Sequence, residues 1–420
     1  MISTLAPFGA LFLSIAMLLM GNGLQGVLLV VRAGIEGFTS LEIGLLGSGY
    51  YVGFLLGCLL GPYFIARVRH IRAFTAMVSI ASTTVLVHAL ITVPWVWWSL
   101  RLITGFCFAA VFMVIESWLN ASSSNHNRGL VFGVYSTINL VVITAGQLML
   151  TLDDPAMFSL FAVTSLLVSL AAVPVALTRS PEPDPPETLR IRLLYLYRSS
   201  PVGFAGAFAS GLVNGAFWAL GPLFAQRHAQ DTTSVAIFMS IAVMAGALGQ
   251  WPIGRVSDTR DRRVPIIVVC LVSAAAALGV AAASVYWPIG VYYLIAVYGF
   301  FAFALYALCV AHVNDFVEVD GFVEAAGGLL LMFGIGAVIG PALGSLAMQT
   351  FGRGGLFLVI AAILLALGGF ALVRMHRRAP VPEEERGEFA TALATTVTVS
   401  NVDLVGDEDD VPEVQEEPAA

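Results

Sequence analysis

The chain has 420 residues, 58% of them apolar and only 11% charged, with 41 glycines. Such a composition excludes an ordinary water-soluble domain. The formal charge of −7 says little about the apolar part, because twelve of the 27 acids lie beyond residue 380.

A helix needs about 20 apolar residues to cross a hydrocarbon core. Twelve such runs follow in chain order, at 7–31, 41–66, 73–93, 97–119, 130–152, 157–177, 201–226, 234–253, 264–284, 288–312, 323–349 and 355–373. The first is too long and continuous to be only the apolar region of a cleaved signal peptide. Every cation is arginine, and the arginines alternate in side. Arg67, Arg69 and Arg72, then Arg128, the linker arginines Arg179, Arg190, Arg192 and Arg198, then Arg255, Arg260, Arg262 and Arg263, and finally Arg374, Arg377, Arg378 and Arg386 share one side, leaving Arg32, Arg227 and Arg353 on the other. Loops rich in arginine stay in the cytoplasm, so both termini are expected inside and the chain is expected to be a multi-pass protein of the cytoplasmic (inner) membrane.

The proline- and charge-rich segment 179–200 divides six spans from six. The expected organisation is an N-terminal bundle at 1–178, a cytoplasmic linker at 179–200, a C-terminal bundle at 201–378 and an acidic tail at 379–420. The tail contains Glu383-Glu384-Glu385 and Asp407-Glu408-Asp409-Asp410. It cannot bury enough apolar surface to offset its ordering entropy, so a disordered cytoplasmic extension is expected. Cys58, Cys107, Cys270 and Cys309 fall within spans without paired spacing, which implies neither a disulfide framework nor a metal site. The basic residues are short clusters beside spans, so nothing suggests nucleic-acid binding.

The second half repeats the first. Asn22-Gly23 returns as Asn214-Gly215, Gly61 with Arg69 as Gly254 with Arg262, Asn120 as Asn314, and Gly146-Gln147 as Gly340-Pro341. A duplicated bundle of apolar helices is the layout of a secondary transporter with its site between the halves.

Gly254-Arg-Val-Ser-Asp258-Thr-Arg-Asp-Arg262-Arg263 follows span eight, and Arg101-Leu-Ile-Thr-Gly105 lies in span four. With these motifs the chain resembles the major facilitator superfamily, although in the first half Ile65 and Val68 replace the acidic and glycine positions of the loop motif. Tyr50-Tyr51-Val52-Gly53-Phe54, His70-Ile71-Arg72-Ala73-Phe74 and Glu116-Ser117-Trp118-Leu119-Asn120 resemble its little-characterised YcaD-like branch. The resemblance implies an all-α fold of twelve transmembrane helices in two six-helix bundles, alternating access, a small-molecule substrate and proton coupling. A monomer without cofactor or catalytic residues is expected.

Ionisable residues inside a span are costly and usually face a cavity or a partner. Arg101 is either a cavity-lining cation for an anionic group or proton step, or a tie between spans four and one through carbonyls or Gln25. Asn22 and Gln25 in span one, with Asn214 and Trp218 in span seven, read as a substrate site. The alternative for them is helix-to-helix hydrogen bonding. Asn139, Gln147, Tyr135, Tyr298, Tyr306 and His312 are further candidates. Glu116 reads as a gate partner of Arg69 and Arg72, as a proton carrier, or as a stationary salt bridge. Asp258 with Arg262 and Arg263 is the expected counterpart in the second half. Gly340 and Pro341 read as a hinge, since proline removes a helix donor and glycine thins the surface.

No Gly-x-x-x-x-Gly-Lys loop is present and there is no lysine, so ATP hydrolysis is not expected. A second reading keeps the fold without transport, as a membrane scaffold or receptor. An enzyme built on His312 and Asp315 is a third.

Overall fold

The computed structural model describes residues 8–123, 128–177, 183, 193–229, 231–317 and 322–377. The acidic tail and most of the linker lie outside the described residues. Twelve helices are long and apolar enough to cross a membrane, and no strand forms among the described residues. They are α1 Gly9–Ile35, α2 Ser40–Val68, α3 His70–Leu90, α4 Pro94–Ala121, α5 Arg128–Leu148, α6 Ser159–Ala176, α7 Pro201–Ala229, α8 Thr232–Asp258, α9 Arg263–Tyr286, α10 Gly290–Asn314, α11 Phe322–Phe351 and α12 Gly355–Met375.

Local chemistry sets the starts and stops. Thr39 and Glu42 form a reciprocal capping box at α2, with Thr39 Oγ1 accepting from Glu42 N at 3.2 Å and Thr39 N donating to Glu42 Oε2 at 2.7 Å. Asp231 caps α8 by accepting from Ser234 N at 2.7 Å. Gly37 and Gly352 turn the chain with φ of 79° and 73°. Helix α3 lies about one turn earlier than its apolar run suggests. Residue 93 precedes Pro94 and is extended, which ends α3 at Leu90, and a single residue, Arg69, separates α3 from α2.

The packing pattern repeats between halves. Helix α1 packs on α5 and α6, α2 on α4, and α3 on α4 and α6; α7 packs on α11 and α12, α8 on α10, and α9 on α10 and α12. Glycines make the same approaches twice. A Cβ on Gly146 would strike Met20 O, and one on Gly340 would strike Leu212 O; Gly105 faces Tyr50 O as Gly299 faces Ala242 O, and Gly57 faces Phe106 O as Gly249 faces Phe300 O. The duplication seen in the sequence is therefore carried by paired close approaches of helix backbones.

The halves meet through α2 with α11, α5 with α8, and α7 with α1 and α2. Gln226 Nε2 donates to Val31 O at 3.2 Å, and Ser48 Oγ donates to Val338 O at 2.7 Å. A Cβ on Gly44 would lie 2.8 Å from both Pro341 O and Ser345 Oγ. These contacts lie towards the end that carries Arg32, Arg227 and Arg353, here called the arginine-poor end; the α2–α3 and α8–α9 loops form the arginine-rich end. Helix α11 runs unbroken through Pro341, whose backbone and ring pack on Gly44 and Gly47 of α2.

Candidate functional site

A cavity of about 460 Å³ lies between the halves. Asn22 comes from α1, Tyr50, Tyr51, Phe54 and Cys58 from α2, Arg101 and Phe112 from α4, Gln147 from α5, Trp218 from α7 and Phe333 from α11. The volume suits a small molecule, and the wall is apolar and aromatic with a few polar groups.

Arg101 reaches this cavity because α2 and α4 nearly touch. Gly53 faces Leu102 O and Gly105 faces Tyr50 O, so no side chain holds the backbones apart. Arg101, one turn before Gly105, then lies over the Tyr50 ring with its guanidinium carbon 4.3 Å from the centroid. Among the described residues the guanidinium has no hydrogen-bond or ion-pair partner, and its Nη1 is buried. The expected tie through Gln25 is absent: both amide atoms of Gln25 are buried without a partner.

Trp218 is held in plane by Phe303, the rings 5.9 Å apart and inclined by 10°. Gln147 Oε1 is buried without a partner beside the cavity. Of the five residues expected to form the site, Asn22, Arg101 and Trp218 line the cavity, whereas Gln25 and Asn214 do not. Gln25 sits at the edge of the arc of α1 that carries Asn22, Gly23, Gly26 and Val30 and is enclosed by packing. Asn214 turns back along its own helix, its amide donating to Ser210 O at 2.9 Å. Serine and asparagine often satisfy themselves this way inside helices.

Tyr50 and Tyr51 were legible in the sequence only as a family motif. The stronger signal was the α2 glycine series Gly49, Gly53 and Gly57, which face Trp98 O, Leu102 O and Phe106 O of α4, together with Gly105 of α4, which faces Tyr50 O; these bring α2 onto α4 and so place Tyr50 against Arg101.

The expected switch residues cluster near the arginine-rich end. Glu116 is buried and accepts from Tyr135 Oη at 3.3 Å; His70 Nε2 and Ser117 Oγ, 3.3 Å apart, bind α3 to α4 beside it. Arg69 and Arg72 are exposed in and just after the α2–α3 turn. In the second half Arg262 bonds Asp258 at 3.0 Å, as expected, and also Asp315 at 2.7 Å. Arg262 and Asp315 are 1% and 3% exposed, which makes this the buried ion pair of the cluster. Arg263 pairs with Asp261 at 2.7 Å. Burial alone would raise the Asp261 pKa, but the bonds from Arg263 outweigh it and hold the carboxyl below its ordinary range. Asp261 and Asp315 were not anticipated as partners. Asp315 is separated in sequence from Arg262, so only the packing of α10 beside the α8–α9 loop brings it there. With Asp315 bound to Arg262 and the His312 ring edge-on to Phe316 at 5.1 Å, the pair that suggested an enzyme has structural contacts.

A duplicated set of twelve apolar helices around one central cavity defines a membrane transporter fold. The sequence profile described as Major Facilitator Superfamily matches residues 11–323, and the chain belongs to that family. It is similar to an uncharacterised MFS-type transporter, YcaD of Escherichia fergusonii, at 28% identity over 334 residues, which cover 78% of this chain and 85% of that protein. Among solved structures it is similar in fold to the nucleoside transporter NupG, with a TM-score of 0.71 at 16% identity over 88% of this chain and 99% of that one. A bacterial homolog of the human lysosomal transporter Spinster, in an inward-facing and occupied conformation, gives a TM-score of 0.71 at 15% identity, covering 90% and 97% of the two chains.

Proposed function

We propose that the protein is a secondary active transporter of the cytoplasmic membrane that moves a small solute by alternating access of two bundles joined at one end, driven by the proton gradient. The observation that carries this reading is a mid-depth cavity enclosed by both halves while their contacts gather towards one end. The positive-inside rule assigns the arginine-rich end to the cytoplasm. The joined end is then outer, and the cavity faces inward. The likeness to an inward-facing Spinster homolog supports this assignment, and the likeness to a nucleoside transporter supports a small solute as cargo.

In this reading Asn22, Arg101 and Trp218 hold the solute. Arg69, Arg72, Glu116, Asp258, Arg262 and Arg263 stabilise one end in its closed form, and Gly340-Pro341 lets α11 bend as the halves rock. The exposed members, Arg69 and Arg72, can contribute up to about 1 kcal/mol per ion pair, enough to bias a two-state equilibrium without locking it. Proton coupling rests on the family resemblance, with Glu116 the acid to test.

Cys58 supplies a native reporter, because it lines the cavity while Cys107, Cys270 and Cys309 are buried. A membrane-impermeant thiol reagent should label Cys58 in inside-out vesicles far faster than in right-side-out vesicles. Oxidising a Gly44→Cys/Ser345→Cys pair should join the outer end, keep Cys58 reactive from inside and stop transport, with reduction restoring it. Equal labelling from both sides, or transport that survives the cross-link, contradicts the reading.

A further inference from the structure

We propose that the cavity selects an amphipathic monoanion, an aromatic or long apolar body bearing one carboxylate or similar oxyanion seated on the Arg101 guanidinium. This rests on the transport reading and adds the class of its substrate.

Arg101 is the one charged residue among those lining the cavity. Its guanidinium has neither a hydrogen bond nor an ion pair among the described residues, and only the Tyr50 ring meets its charge, at 4.3 Å. An arginine does not shed its proton, and its planar fork matches an oxyanion with two parallel hydrogen bonds. In a wall of low polarity an incoming anion neutralises that charge. A cation is repelled, and a neutral solute leaves the guanidinium unpaired. A dianion would bring a second charge for which the wall has no cation.

The remaining surface sets the body of the solute. Phe54, Phe112, Trp218 and Phe333 present apolar faces. The Trp218 plane is fixed by Phe303, so it offers a preformed stacking surface with little ordering entropy to lose. A sugar-like solute with hydroxyls all round would leave most of them unpaired against these rings. An anionic head on an apolar body satisfies both ends.

The test uses the full chain in lipid nanodiscs and three probes, phenylbutyrate, indole acetate and naphthoate, each beside its neutral amide and its amine counterpart. Binding is read by calorimetry and by the thermal shift that a ligand of the folded state produces. At least one carboxylate should bind about tenfold or more tighter than its amide, the difference a charge-assisted pair supplies, and the amines should not bind. Arg101→Gln should abolish the preference, and Arg101→Lys, which keeps the charge without the fork, should keep it at lower affinity. Both variants are checked for an unchanged gel-filtration profile, and Arg101→Lys alone carries the comparison if the glutamine variant does not fold. An amide or amine that matches its carboxylate, a preference that survives Arg101→Gln, or no binding by any carboxylate overturns the proposal. One-sided Cys58 labelling alongside such a failure would leave transport standing and refute only the substrate class. Carboxylate binding with equal labelling from both sides would do the reverse.

Discussion

Arg69 is the single residue between α2 and α3 and adopts φ 73° and ψ 165°, a region that side chains other than glycine rarely enter. Holding it there costs about 1–3 kcal/mol, whereas an exposed arginine contact returns up to about 1 kcal/mol. Arg69→Gly should therefore raise the unfolding midpoint of the purified protein. If Arg69 also acts at the gate, the stabilised variant transports poorly; normal transport would make the arginine dispensable, and a lowered midpoint would show that its contacts outweigh the strain. Arg262 is the opposite case. Removing one partner of a buried pair strands the other, so Arg262→Ala should lower stability by about 3–5 kcal/mol, measured by denaturant titration. Replacing Asp315 with leucine in the same chain should recover part of that loss, since the stranded carboxylate is gone. The sequence marked Arg101, Asn22 and Trp218 through their rarity and their spacing within apolar runs. It could not mark Asp315 as the partner of Arg262, because that pairing depends on the approach of α10 to a distant loop. Nor could it show that Asn214 bonds its own helix, since an asparagine in a span reads alike whether it faces a cavity or a carbonyl four residues back.

At the scale of the element, glycine placement decides which helices touch. Gly53, Gly57 and Gly105 bring α2 and α4 into backbone contact, and this contact presents Tyr50 to Arg101. Gly105→Leu would drive a side chain into Tyr50 O. Overpacking of this kind typically costs about 1–3 kcal/mol. The measurable outcome is a lowered unfolding midpoint together with loss of carboxylate binding, as Tyr50 and Arg101 separate; retention of both would mean that α2 and α4 slide past one another freely. The twelve spans were legible because each is a long apolar run, and a run of that kind needs no tertiary knowledge to read. Their ends were less so. Helix α3 starts and stops about one turn early because a one-residue turn precedes it and Pro94 begins the next helix, and neither leaves a mark in hydropathy. Breaks such as the one between Ala302 and Leu305 within α10 are equally silent.

For the whole molecule, the twofold packing pattern was foreshadowed by the repeat of about 193 residues, and the structure gives that repeat its physical content in matched glycine contacts. Two similar bundles can rock only if the contacts at each end form in turn. The contacts at the arginine-poor end include hydrogen bonds and close glycine approaches between α1, α2, α7 and α11, interactions that can separate and re-form without unfolding a helix. The most direct test places spin labels on both ends of the same molecule in lipid nanodiscs, one pair at Ile35 and Arg353 and the other at Arg67 and Arg260, all exposed positions. Distances from pulsed electron resonance should show two populations at each pair, and any shift with pH or bound carboxylate should shorten one pair as it lengthens the other. A single distance at both ends, unchanged by either, would contradict alternating access and leave a scaffold that keeps the fold without moving a solute.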